Sequence, residues 1–445
     1  MPSNTRVPTR RELLLGSAAL FAWASVPGRA RAEGRDPRFL TIVLRGALDG
    51  LAVAAPVGDP DWPKLRGDEG LKSDGQVPAL PLDGFFALNP AMPHLHRLYQ
   101  AGQGAIVHAV ATPYRERSHF DGQDVLESGQ ARPGEVDTGW LNRALTALGP
   151  GERADTGGQQ AFAVGPIAPL VVRGPAPVLS WVPPRLPPVS DETTMRLLDL
   201  YRHTDPALAL ALEERIGLAA IARAGGINVE PDTDRPAVQI GGIEQVRKYF
   251  ADAANAAAEF LARAEGPRVG ALALDGWDTH VNEGTVKGRL ANLLGALDGA
   301  LAEIETNMGG AWRETVVVFV TEFGRTARIN GNDGTDHGTA TVAILAGGAL
   351  NGGRMVADWP GLKDADLYEH RDLRATTDLR AVLKGLLKDH LGVDDHVLGT
   401  DVFPTASACR RCPVCWPEQT VRRPAPARGI PPCCSGPERP GPVGA

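Results

Sequence analysis

Five short segments of this sequence combine acids, imidazoles and guanidinium groups with glycine. They are Arg45-Gly46-Ala47-Leu48-Asp49-Gly50, Arg117-Ser118-His119-Phe120-Asp121-Gly122, Gly276-Trp277-Asp278-Thr279-His280, Glu322-Phe323-Gly324-Arg325 and Gly334-Thr335-Asp336-His337-Gly338. Carboxylates mixed with imidazoles bind Zn, Mn or Fe, whereas carboxylates alone suit Mg or Ca. Asp278, His280, Asp336 and His337 together could supply two imidazoles and two carboxylates. A bound dication lowers the pKa of a water or serine hydroxyl and stabilises charge on a phosphoryl or sulfuryl oxygen. Ser118 falls at an expected helix N-terminus, where the helix dipole favours an anion. Arg45, Arg115, Arg117 and Arg325 are candidates to hold anionic oxygens bidentately.

Each of these residues also has a plainer reading. An aspartate after a strand is commonly a helix N-cap, and Gly-Asp pairs make turns. Ser118 could simply cap the following helix, and His119 could be a hydrogen-bonded core histidine. Arg325 could pair with Glu322 or Glu283 as scaffold. His94, His96, His108, His203, His370, His390 and His396 lack an acidic, glycine-bracketed context and read as surface or core. The joint pattern is what favours a site, provided that one sheet edge brings the segments together.

The elements that would do so are legible as apolar runs. Residues 38–45 (RFLTIVLR), 104–111 (GAIVHAVA), 268–274 (RVGALAL), 315–320 (TVVVFV) and 341–345 (TVAIL) read as strands buried on both faces. Helical patterns fall at 92–100, 121–128, 140–148, 245–264, 288–305 and 379–391. This alternation predicts an α/β fold, doubly wound, with a mostly parallel sheet and helices on both faces. In such sheets ligands sit beyond the carboxyl ends of the strands, which is where the segments fall. The stretch from about 150 to 236 is less regular and reads as a cap or insertion.

Composition sets the outer bounds. The chain has 445 residues, 43% hydrophobic and 22% charged, which is ordinary for a globular protein. Thr9-Arg10-Arg11-Glu12 precedes a short apolar run ending near Val26, and Ala30-Arg31-Ala32 resembles a cleavage site. Residues 1–32 therefore read as a twin-arginine signal peptide, with the translocase as partner during export to the periplasm or beyond. Its removal takes away five arginines and one glutamate and leaves a net charge of −11. An acidic surface of that size argues against nucleic acid as a partner. No later apolar run is long enough to span a membrane. All five cysteines lie at Cys409, Cys412, Cys415, Cys433 and Cys434, inside a Pro- and Arg-rich segment, 405–445, that reads as a disordered tail. The 409–415 cysteines could bind zinc, but a fourth ligand at a sensible spacing is missing.

At these motifs the sequence resembles a known bacterial group, the domain of unknown function 1501 (DUF1501) family. VLRGALDGL at 43–51, RSHFDGQDVLESG at 117–129, TGWLNRAL at 138–145, GWDTH at 276–280, TEFGRT at 321–326 and GTDHG at 334–338 carry the resemblance. It implies a fold similar to the alkaline phosphatase and sulfatase superfamily, whose members hold one or two metals after successive strands. It casts Asp49 as the first metal acid and Ser118 as the nucleophile. Asp278 and His280 would form one ligand pair, with Glu322 and His337 as later ligands. Two departures stand out: Arg45 rather than an acid ends the first strand, and Glu322-Phe323 replaces an Asp-His pair.

The sequence thus points to a hydrolase-like protein acting on phosphate or sulfate esters of a small anionic substrate. Ser118, His119, Arg45 and Arg325 are the catalytic candidates. Asp49, Asp278, His280, Glu322, Asp336 and His337 are the candidate ligands of a divalent metal (Zn, Mn, Mg or Ca). The alternative is a non-catalytic binding or assembly protein on the same fold.

Overall fold

The structure, a computed structural model, describes residues 35–148, 161–165, 168–181, 198, 209–210, 212–213 and 242–406. The expected signal peptide, nearly all of the cysteine-rich tail and most of the 150–236 stretch lie outside the described residues. The chain divides into two units, residues 1–36 and 37–445. The architecture below is that of the second.

Its elements run in the order β1 (Arg38–Arg45), α1 (Gly50–Val53), β2 (Ala54–Ala55), α2 (Trp62–Arg66), β3 (Leu80–Pro81), β4 (Ala87–Leu88), α3 (Pro93–Gln100), β5 (Gly104–Ala111), α4 (His119–Ser128) and α5 (Trp140–Leu148). There follow β6 (Ala161–Val164), β7 (Val178–Trp181), α6 (Ile243–Ala262), β8 (Val269–Asp275), α7 (Arg289–Met308), β9 (Thr315–Val320), β10 (Thr341–Ala346), β11 (Arg354–Val356), β12 (Thr377–Asp378) and α8 (Leu379–Asp389).

The main sheet has the order β11-β5-β10-β9-β1-β8-β6-β7, with β12 also paired to β5. Its pairings are parallel except where β10 runs antiparallel between β5 and β9. The expected doubly wound α/β class is therefore the observed one. Strand β1 shows why these sequences make a central sheet. Leu40, Ile42 and Leu44 face one helical layer, built from α3, α6 and α7. Phe39 and Val43 face the other, where α5 and α8 pack. Each such side chain, taken fully out of water, contributes about 1.5–3 kcal/mol. Helix α7 meets its layer through Leu290, Leu293, Leu294, Leu297, Leu301 and Ile304, a stripe at helical spacing.

Two features go beyond the expectation. Within the stretch read as an insertion, β6 and β7 extend the main sheet in parallel beyond β8. Each is four residues long, too short for a period to show. The second is the direction of β10. Because it runs back, the segment 321–340 returns to the edge at which β9 ends. Register puts Arg45 beside Asp275 and Val43 beside Val320, so β1, β8 and β9 end nearly level. Thr341 pairs with Val110 near the end of β5. Four strand ends and the approach to β10 thus share one edge.

Candidate metal centre

At that edge the loops come together because glycine permits it. Gly46, just past β1, has φ +120°, and a Cβ there would lie 2.6 Å from the Asp278 backbone nitrogen. Only glycine lets the two loops approach so closely. Gly334 does the same on the other side, where a Cβ would fall 2.3 Å from the His280 carbonyl oxygen.

Four side chains converge. The Asp278 Oδ1 lies 3.1 Å from His280 Nε2 and 3.2 Å from His337 Nε2, and its Oδ2 lies 3.5 Å from His119 Nε2. The two Nε2 atoms of His280 and His337 are 2.9 Å apart. One ligand atom each from His119, Asp278 and His337 falls within 4.8 Å of the others. The His119 and His337 rings sit 4.3 Å apart, and His119 stacks on Phe323 at 5.1 Å.

What surrounds the imidazoles matters more than their proximity. Each has an oxygen acceptor at its Nδ1. His119 Nδ1 lies 2.8 Å from Glu322 Oε1, His280 Nδ1 lies 3.2 Å from Asp336 Oδ1, and His337 Nδ1 lies 2.9 Å from the Arg117 carbonyl. With a proton at each Nδ1, the three Nε2 atoms would present lone pairs within 3.5 Å of the Asp278 carboxylate oxygens. Arg325 already donates to this carboxylate, and a proton or a metal ion shared among the imidazoles would balance the rest. An acceptor behind each ring nitrogen is also how metal-ligating histidines are oriented. The buried His119 Nε2 makes no hydrogen bond, which fits a ligand atom better than a core histidine.

The electrostatics follow. Burial pushes the Asp278 carboxyl up, but its contacts with the His337 ring and the Arg325 guanidinium outweigh it and hold it well below the usual carboxylate range. The Glu322 hydrogen bond raises the His119 imidazole against its burial. Burial likewise raises Glu322, and its bonds from His119, Gly46 and Gln123 bring it below its ordinary value.

The predicted residues separate into three groups. Asp278, His280 and His337 meet at the centre, and His119 joins them as a ligand candidate rather than as a catalytic group. Glu322, Asp336 and Arg325 stand behind. Glu322 is fully buried, and its oxygens accept from His119, Gly46, Gln123 and Thr321, so it serves His119. Arg325 donates to Asp278 at 2.6 Å and to both oxygens of Thr335, not to Glu322 or Glu283. Ser118 occupies the N-cap position of α4 but makes no side-chain cap bond, and it is half-buried.

Asp49 and Arg45 are not brought to the centre. Asp49 caps α1 through Leu51 and is sealed against Arg66, at 2.5 Å and 3.1 Å. With both oxygens engaged and 1% exposure, it does not serve as the expected first metal acid. Arg45 pairs with Glu127 of α4 at 2.6 Å, tying the helix to the end of β1. Arg66, Glu127 and Gln123 carried no local signal in the sequence, since their partners lie far along the chain or on another element.

The family model described as "Protein of unknown function (DUF1501)" matches residues 98–400. No curated protein matches the sequence. Among solved structures, the zinc complex of the C-terminal periplasmic domain of EcEptC from Escherichia coli is similar at 11% identity, covering 71% of this chain and 74% of that chain, with a TM-score of 0.30. The PsFucS1 sulfatase from Pseudoalteromonas sp. is similar at 11% identity, 78% and 68% coverage and a TM-score of 0.34. The phosphonate monoester hydrolase of Agrobacterium radiobacter is similar at 13% identity, 72% and 70% coverage and a TM-score of 0.27. At such scores the chemistry has to be read from the side chains.

Proposed function

We propose a function from one premise: the chain belongs to the DUF1501 family. It is an exported, metal-dependent hydrolase of phosphate or sulfate esters, reaching the periplasm or the exterior through the twin-arginine signal at residues 1–32. Supporting this is the set of three Nε2 atoms within 3.5 Å of the Asp278 carboxylate, each imidazole backed by its own acceptor. His119, Asp278, His280 and His337 would hold the ion. Three imidazoles with one carboxylate suit Zn, Mn or Fe and disfavour Mg and Ca. A divalent ion there supplies Lewis-acid stabilisation of charge on a phosphoryl or sulfuryl oxygen.

The chain's own residues supply the rest. Ser118 precedes His119 at the start of α4 with its hydroxyl uncommitted to a cap, and it is the nucleophile of this reading. Arg325 holds Asp278 in place. Phe120 and Val281 directly follow His119 and His280 and are 88% and 52% exposed, offering apolar contact to the organic part of an ester. No described helix is long and apolar enough to cross a membrane.

The test is elemental analysis of the purified mature protein, with assays on aryl phosphates and sulfates in added Zn, Mn, Mg or Ca. Bound metal and turnover lost in Ser118→Ala support the reading; neither metal nor turnover overturns it. The sealing of Asp49 by Arg66 favours a second reading, a metal-binding protein that assembles or carries rather than cleaves. That reading gains if Ser118→Ala leaves the cellular phenotype intact while His337→Ala abolishes it.

A further inference from the structure

We propose that Asp372 is a positioning residue for His337, acting through the backbone of Arg117. The proposal rests on the reading of His337 as a metal ligand. Asp372 is fully buried in a tight turn, where its carbonyl accepts from the Tyr368 N–H at 2.8 Å and its N–H donates to the Tyr368 carbonyl at 3.0 Å. Glu369 and His370 in this turn take φ of +53° and +54°. Oδ2 of Asp372 accepts from Arg117 Nε at 2.9 Å and from Nη2 at 2.7 Å, while Oδ1 accepts from Arg371 Nε at 2.9 Å.

Both arginines reach His337. Arg371 donates from Nη2 to the His337 carbonyl. Arg117 presents its own carbonyl to His337 Nδ1 at 2.9 Å. It does so at φ +62°, a region that L side chains avoid. Such a conformation persists only where its surroundings hold it. The two-pronged grip of Asp372 on the guanidinium, with Glu369 adding a contact at 2.6 Å, is that hold. Asp372 therefore determines where the Arg117 carbonyl points. That carbonyl sets which nitrogen of His337 carries the proton and which offers its lone pair to Asp278.

The test compares wild type, Asp372→Asn, Asp372→Glu and Arg117→Ala. Alanine lacks the guanidinium and, unlike glycine, does not adopt the left-handed backbone freely, so the hold is lost. The readouts are the His337 tautomer by nitrogen NMR in metal-free protein, zinc affinity by chelator competition, and the thermal melting curve. In wild type the proton should reside on Nδ1. In Asp372→Asn and Arg117→Ala it should distribute over both nitrogens, with zinc affinity down about 10–100-fold, the usual loss for an outer partner of a ligand. Asp372→Glu should restore part of both. An unchanged tautomer and unchanged zinc affinity in folded Asp372→Asn and Arg117→Ala would overturn the proposal. If Asp372→Asn fails to fold, Arg117→Ala settles the matter alone. If wild type binds no zinc, the metal reading falls, and the tautomer still decides whether Asp372 positions His337.

Discussion

Two polar clusters lie close to the same sheet edge, built from similar residues and put to opposite uses. In the first, Asp49 and Arg66 are 1% and 2% exposed. Arg66 spends its donors on both Asp49 oxygens and on the carbonyls of Ala327 and Thr326. Nearby Glu283 accepts from Thr279 and Thr335. Donors and acceptors match, so the cluster is closed. In the second, His119, Asp278, His280 and His337 are partly open to solvent, with three ring nitrogens close to one carboxylate. Arg325 donates to that carboxylate, and a proton or a metal ion shared among the imidazoles would complete the balance. An acid after a strand is thus structural when its partners saturate it, and functional when they leave it in demand.

The largest expected effect breaks the closed cluster. Asp49→Ala strands a buried guanidinium and should cost about 3–5 kcal/mol of stability in denaturant melts, with zinc stoichiometry unchanged in the protein that still folds. Loss of zinc with little loss of stability would erase the contrast between the clusters.

Next comes the open cluster. Asp278→Asn should lower zinc affinity by more than about 100-fold, exceeding the loss typical of an outer partner, while the metal-free protein melts close to wild type. Chelator competition reads the first and calorimetry the second. Glu322→Gln keeps the shape but weakens the hold on His119. It should cost about tenfold in zinc affinity by the same measurement.

A pH series sharpens the comparison further. Burial, then the Asp49 charge, push the Glu283 carboxyl up to about 8. The folded state therefore keeps a proton that the unfolded chain releases near its ordinary pKa. The contribution of Glu283 to stability should be greatest at low pH and decline as pH rises from about 4.5 to about 8. Glu283→Gln should flatten that decline in urea melts across the interval, and an unchanged slope would contradict it. The smallest effect is at the surface. Phe120→Ala should raise KM for an aryl ester about fivefold, in keeping with roughly 1 kcal/mol of apolar contact, and leave KM for a methyl ester unchanged.

Much of this frame was legible in the sequence. Runs such as TVVVFV and RFLTIVLR, short and rich in β-branched residues, read as central strands, and the acidic and imidazole residues after them fall where a parallel sheet places ligands. That Asp278, His280 and His337 would come together was legible for that reason. The place of His119 beside them was not, because its partner Glu322 lies 203 residues away, and the same motif suits a core histidine. Asp49 misled for the mirror reason: its position after β1 matches a ligand, and nothing local announces Arg66. Strands β6 and β7 escaped because runs of four residues carry no usable period. Asp372 escaped because its work is done through another residue's backbone, which leaves no pattern in the side chains.

The most direct measurement is anomalous diffraction from crystals of the mature protein soaked in zinc. The account predicts one strong peak among His119 Nε2, His280 Nε2, His337 Nε2 and the Asp278 carboxylate, at about 2.0–2.2 Å from each. A well-diffracting soaked crystal with no peak there, or with its zinc at Asp49 instead, would contradict it.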